Sequence, residues 1–356
     1  MAVTAKMVKE LREMTGAGMM DCKKALTETD GNMDAAVELL RKSGAAKMAK
    51  KAARIAAEGI CRAAAADGVA VVVEVNSETD FVAKNEIFQT FVQSVAETAL
   101  ASGKKGGKNG EDVQDLLDAG LTAEVADKTL VIGEKLSFRR FARVEADVVA
   151  SYIHGGRIGV LVGANGAADD DAKAALANVA MQIAAMNPQY IAREDISAEE
   201  LAKLREITID SALNDPASLP KPILNGLFAA AMDGKFTAED AAAYEAEKNN
   251  KYLFNFLSDA AKATLAELAM ADKENIMANK IFAGLVEGRI AKQLKEITLL
   301  EQVYVRAEDG KQTVKAYLAS VNKALKLTEM VRFEVGEGME KKNEDFAAEV
   351  AAQING

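Results

Sequence analysis

The chain has 356 residues, 49% of them hydrophobic and 28% charged, which predicts a folded protein of two or three domains. Aromatic residues are only 5%, tryptophan is absent and proline occurs four times, so long helices with aliphatic packing are expected. The formal charge of -10 argues against a nucleic acid as the main ligand, because neutralising phosphates takes concentrated Lys and Arg.

The charge is uneven. Residues 1–62 carry twelve basic and eight acidic side chains, leaving about -14 for the remainder. A basic head on an acidic body can steer a protein partner, although solvated helix faces account for it equally well. Cys22 and Cys61 are far apart and form no CxxC, so they read as reduced, buried thiols. Met1 to Glu10 has no apolar signal region, and nowhere is there the run of about eighteen apolar residues that a membrane span requires. A cytoplasmic protein with no membrane contact is expected.

In chain order, Val8 and Leu11 mark a first helix that Gly16-Ala17-Gly18 ends. Met19, Cys22, Ala25 and Leu26 start a second, and Asp30-Gly31-Asn32 is a turn. Ala36, Val37 and Leu40 mark a third, which Gly44 is expected to stop. This small bundle suits a binding role. Adjacent residues cannot both face one core stripe, so one of Met19 and Met20 is expected in the core and the other at a contact surface. Residues 45–66, rich in Ala, Lys and Arg, read as a helical connector. Val69 to Val75 then switches to strong strand preference, and a new domain begins.

Within it lies an internal repeat. The strand-like Gly68 to Asn76 is followed by an acidic loop and a helix over about Val82 to Ala101. Arg157 to Asn165 is followed by Asp169-Asp170-Asp171 and a helix to about Met186. Lys135 to Phe141 and Lys326 to Phe333 are a second matching pair, each read as a strand. Two related α+β subdomains are implied, each a sheet covered by helices. Between the second strand–helix unit and its closing strand, residues 197–300 read as an inserted helical hairpin or small bundle. Its first helix opens on Ser197-Ala198-Glu199-Glu200, a capping-box spacing, and stops near Pro216, Pro220 and Pro222. After Gly336-Glu337-Gly338, Phe346, Val350 and Ile354 repeat every four residues, as in a short amphipathic helix.

Candidate chemistry is sparse. A single histidine, His154, excludes a two-histidine metal site and favours a structural or interface role over a catalytic one. Gly103 to Gly110 imitates a phosphate loop, but Ser102 and Asn109 occupy the positions where glycine and a hydroxyl are required, so it reads as a mobile basic loop. No catalytic site, no cofactor and no direct nucleotide binding are expected. Glu74 to Lys84 reads as a strand end, an acidic turn and a helix start, with Thr79 or Asp80 as N-cap and acidic side chains complementing the helix dipole. Phe81 has two readings. Its seven-residue spacing from Phe88 places it in the core; its position in a first helical turn places it at a tip that can enter a partner's crevice. Pattern alone does not decide.

Leu11 to Leu26, Thr79-Asp80-Phe81-Val82, Ser151 through His154 to Gly159, and Arg332 to Gly338 together closely resemble the bacterial elongation factor Ts family. The resemblance implies a ubiquitin-associated-like N-terminal domain at 1–54 followed by a connector helix, and a core N-subdomain at 55–145. It implies a core C-subdomain at 146–196 and 301–335, an inserted coiled-coil or dimerisation-type region at 197–300, and a C-terminal module at 336–356. It further implies a guanine nucleotide exchange factor for elongation factor Tu. Thr79, Asp80, Phe81 and Val82 would disturb the partner's magnesium site. Arg12, Met19 and Met20 would contact it from the N-terminal domain, and His154 and Gly155 from the core C-subdomain. The stretch from about Ser211 to Asn279 is longer than the family's usual hairpin, which leaves a homodimer through that element open. The competing readings are a protein-binding adaptor without exchange activity and, more remotely, an enzyme holding a metal in its acidic loops.

Overall fold

The computed structural model describes residues 3–340. The chain divides into two compact units, one of Met1–Asn187 with Tyr304–Gly356 and the other of Pro188–Val303.

Helices α1 (Ala5–Thr15), α2 (Met19–Glu28) and α3 (Met33–Lys51) form the N-terminal bundle. Thr4 caps α1, and Gly16 ends it at φ 68°, a left-handed position that glycine adopts without strain. The core is Leu11, Cys22, Leu26, Ala36 and Leu40, closed by Leu130 from a later helix. Gly44 does not stop α3. It is buried inside the helix, where a Cβ would lie 2.9 Å from the carbonyl oxygen of Ala126. Close helix packing, rather than a chain break, accounts for this glycine.

The expected helical connector over 45–66 holds only as far as Lys51, where α3 ends; its second half is a strand. β1 (Glu58–Ala66) pairs antiparallel with β2 (Val69–Ser77) along its whole length. Tertiary pairing overrides the helical preference of its alanines. After β2 come a single turn, α4 (Asp80–Ala83), and then α5 (Glu86–Ser102), with Asn85 capping α5 through its side chain. The Gly103–Gly110 run is pinned instead of mobile. β3 (Gly106–Gly107) joins the sheet edge, Lys104 pairs with Asp115 at 2.6 Å, and Asp112 accepts from the Gly106 N–H. α6 (Val113–Leu116) and α7 (Thr122–Ile132) precede β4 (Ser137–Glu145), which gives the sheet order β1-β2-β4-β3.

β5 (Val148–His154), β6 (Ile158–Asn165) and α8 (Asp170–Met186) repeat the plan, and beyond the second unit β7 (Lys326–Glu334) completes the sheet β5-β6-β7. In both sheets a hairpin is followed by a helix and then by a strand returning to the hairpin's second member. The register breaks at Glu74/Val75 in one sheet and Gly163/Ala164 in the other, the same step of the repeated segment. The sheets pack face to face through Ala70, Val72, Leu161 and Phe333, with α5 and α8 on the outer faces. This double coverage explains why Ala70 to Val73 is apolar without alternation, Val71 and Val73 facing α5 and Ala70 and Val72 the other sheet. Gly159 permits the approach, since a Cβ there would come within 2.6 Å of Val72.

Glu74 is fully buried between the sheets. It accepts from Arg139 at 2.9 Å, Arg140 at 2.6 Å, the Asn76 amide and the Gly336 N–H. Arg140 also reaches Glu337 and stacks on Phe333, so one buried carboxylate ties β2 and β4 to the segment leaving β7. Cys22 and Cys61 are both buried, and burial raises both thiols above their usual range. Thiol labelling of the native protein should therefore be slow, and slowest at Cys61 between the sheets. Cys22 becomes reactive through opening of the small bundle alone, which hydrogen exchange would detect as the less protected region.

The unit 188–303 is a helical bundle with its own core. α9 (Ala198–Leu213), α10 (Lys221–Met232), α11 (Ala238–Glu247), α12 (Asp259–Ala271), α13 (Lys273–Ala278) and α14 (Lys280–Ile297) surround Leu213, Phe228, Leu265, Phe282 and Val286. Of the two forms open from sequence, it takes the bundle. Ser197 and Glu200 make the expected reciprocal cap, so Ser197→Ala should cost about 1 kcal/mol in a denaturant titration of this unit. Asp240 is buried and accepts from the Ser258 N–H and the Thr237 and Ser258 hydroxyls, which hold its carboxyl below the usual range. Its folded-state pKa is depressed, so its stabilisation is complete above the unfolded value and disappears as pH falls through the folded one. Asp240→Asn should flatten the acid limb of stability measured against pH. At the neck, the Gln189 and Tyr190 N–H groups donate to the Ile297 carbonyl, and the Leu299 N–H donates to the Tyr190 carbonyl. The chain re-enters the first unit with the Val305 N–H on Gln182, followed by α15 (Val314–Val321). Phe346, Val350 and Ile354 lie outside the described residues.

Candidate functional site

The turn after β2 is built to present one side chain. Glu134, just past the glycine that ends α7, accepts from the Thr79 N–H at 3.0 Å and its hydroxyl at 2.6 Å. Thr79 is the N-cap of α4 by position, but its hydroxyl is committed to Glu134 and caps no helical N–H. Glu78 does not complement a helix dipole. It accepts from the Lys135 N–H at 2.6 Å and pairs with Arg54. Lys135 in turn donates to the Ala52 and Arg54 carbonyls. Val82 is buried and anchors α4 from below.

On this base Phe81 is 80% exposed, the highest figure among the exposed large apolar residues of the described chain. Its core reading fails because Asn85 starts a new helix, so the periodicity that runs through Phe88 does not extend back to Phe81. Lys84 bridges its neighbour and its ring, donating to Asp80 at 2.8 Å and standing 5.9 Å from the Phe81 centroid. The hydrogen bond from Lys84, aided by the charges of Lys84 and Arg157, holds the Asp80 carboxyl below its usual range. Asp80 is therefore ionised throughout the neutral range. The result is an exposed aromatic ring beside a fixed negative charge.

His154 and Gly155 lie where β5 turns into β6. Gly155 and Gly156 have φ of 56° and 73°, left-handed positions in the three-residue turn between His154 and Ile158, which the Arg157 N–H closes on the His154 carbonyl. The His154 ring is exposed, and its Nδ1 is 3.0 Å from the Tyr152 hydroxyl. Asp80 and Gly155 line one cleft of about 430 Å³, so the structure brings these two candidate regions to a common concavity.

Arg12, Met19 and Met20 belong to the N-terminal bundle instead. Met19 and Met20 are both exposed, which corrects the expectation that one is core: Cys22, Ala25 and Leu26 fill that role alone. Met14, near the end of α1, is exposed as well. Sequence reasoning missed Met14, Glu78 and Glu134. Glu134 carried one usable signal, its place directly after the helix-ending Gly133. Among the described residues no group of three or more His, Cys, Asp or Glu could hold a metal, and no helix is long and apolar enough to cross a membrane.

A sequence model of the family described as Elongation factor TS matches residues 78–337, a span that opens at the Thr79 turn. The chain belongs to the elongation factor Ts family. It is 42% identical to Elongation factor Ts of Clostridioides difficile (strain 630) over 367 aligned residues, covering 99% of each chain. Membership in the elongation factor Ts family makes it a translation elongation factor with an α+β fold. The alignment with that relative runs through the long helical stretch as well, so the bundle at 188–303 is part of the shared length.

Proposed function

We propose that the protein is the guanine nucleotide exchange factor for elongation factor Tu, acting by contact and not by chemistry of its own. The observation that carries this reading is Phe81, an apolar ring 80% exposed on a turn that Glu134 and Glu78 hold in place. Covering such a ring removes a large apolar area from water, which suits it to anchor a partner. In this reading Thr79 to Val82 press against the nucleotide domain, Phe81 enters a crevice and the Asp80 charge competes for groups around the magnesium ion. Arg12, Met19 and Met20 grip the same domain from the bundle, and His154 and Gly155 meet a further domain.

The physics is a coupling free energy. Exchange factor and GDP with magnesium each disfavour the GTPase conformation that the other binds, so each weakens the other reciprocally. Weakening the nucleotide by about 4 kcal/mol, with an equal fall in the barrier, speeds release on the order of a thousandfold. GTP then refills the site by mass action. Stopped-flow release of a fluorescent GDP from elongation factor Tu tests this: substoichiometric protein should accelerate release through many turnovers. No acceleration at micromolar concentration would refute exchange activity and leave binding alone.

A further inference from the structure

Resting on the exchange-factor reading, we propose that the cleft between the Phe81 turn and the Gly155-Gly156 turn receives a carboxylate side chain from the surface of the GTPase, with Arg62 and Arg157 as its recognition residues. The cleft holds about 430 Å³ and is lined by Arg62, Asp80, Lys84, Gly155, Gly156 and Arg157 among others. Its three cations face one anion, in a chain whose formal charge is -10. A basic concavity on an acidic protein is a local departure that overall solubility does not explain.

The charges are not equally matched. Lys84 is paired with Asp80 at 2.8 Å, and Arg157 with Glu58 at 2.7 Å. Among the described residues Arg62 meets no carboxylate. Its guanidinium donates to the Cys61 carbonyl at 3.2 Å and the Gln89 side chain at 3.0 Å, both neutral acceptors. It is half-buried on β1, so water screens it less than a surface cation. A guanidinium offers five donors in its plane, and two are used here, leaving three N–H groups for a carboxylate. Gln89 also donates to the Ala83 carbonyl at the end of α4, so the group that aims Arg62 is the one that braces the Phe81 turn.

Two geometric points identify the occupant as part of the same partner. Asp80 and Gly155, which belong to regions proposed to touch different domains of the GTPase, both line this cleft. A partner engaging both must span it. The Gly155-Gly156 turn adds no side chain to the cleft, so on that side nothing but backbone meets an entering side chain. An acidic residue of the GTPase matches the cleft in charge, and its arrival completes the pairing of Arg62.

The test uses full-length Arg62→Gln and Arg157→Gln with nucleotide-free elongation factor Tu, titrated at several salt concentrations. Each variant should bind about tenfold more weakly than the wild type at low salt, with a shallower loss of affinity as salt is added. Arg62→Glu should bind worse still. A Lys substitution at one acidic residue of the GTPase, found by scanning its acidic surface positions, should restore that binding. Arg157 is exposed, so its variant keeps the test valid if Arg62→Gln lowers the melting temperature. Wild-type exchange together with unchanged affinity and salt dependence in both variants would overturn the carboxylate cleft and leave the exchange reading standing. A wild type that neither binds nor accelerates release would overturn both.

Discussion

Phe81→Ala is expected to reduce the catalysed rate of GDP release about thirtyfold, the equivalent of about 2 kcal/mol, while the melting curve stays where it is. The two readouts separate because the ring is 80% exposed: truncating it removes almost no intramolecular packing. A core phenylalanine treated the same way would cost roughly 3 to 5 kcal/mol of stability. Phe88, fully buried seven positions later on α5, is the natural contrast. Phe88→Ala should lower the melting temperature sharply, and any loss of exchange should follow the loss of fold. If Phe81→Ala melted early or exchanged at the wild-type rate, the ring would not be the contact proposed. Thr79 adds a finer test. Glu134→Gln keeps the size of the group that holds the turn but weakens its charge-assisted bonds. It should lower exchange with little change in stability.

Glu74→Ala should cost about 3 to 5 kcal/mol of stability, as much as truncating a core phenylalanine, measured by urea unfolding. The loss comes less from the pair than from what is left behind. Arg140 is buried with only 5% of its side chain exposed, and without Glu74 its charge has just Glu337 near the surface to meet. The paired change Glu74→Leu with Arg140→Met should therefore cost less than Glu74→Ala alone, since the buried Arg140 charge is removed with its partner and Arg139, 24% exposed, keeps access to water. A change within about 0.5 kcal/mol for the single variant would show that the network does not hold the sheets together.

What the sequence revealed and concealed follows from the range of the forces involved. The valine run at β2, the matching strand at β6 and the Ser197 cap were legible because each is a local pattern with one structural solution. β1 was not, because Glu58 to Ala66 is rich in alanine and becomes a strand only through β2. Gly44 obeyed a local stop rule that the carbonyl of Ala126, far away in sequence, overrides. Phe81 was ambiguous since periodicity assumes one continuous helix, and Asn85 divides it into two. The ordered motifs, not periodicity, pointed to the right family. The clamp on Thr79 is formed by a residue 55 positions away, and no local pattern could announce it. Arg62 is similar: its significance lies in the carboxylate it does not meet, visible only once its neighbours have a place.

The neck of the helical bundle has a consequence for how such a chain can change over time. Where the chain departs, Gln189 and Tyr190 are hydrogen-bonded to Ile297 and Leu299 on the way back, and Val305 rejoins the first unit on Gln182. Closing the ends this tightly makes the intervening length nearly free, because the entropy of a closed loop grows only logarithmically with its size. Helices can be added to or lost from this unit while the pairing at its neck is kept. Because Tyr190 and Thr298 are paired neighbours, a short glycine bridge between them should be able to replace residues 191–297.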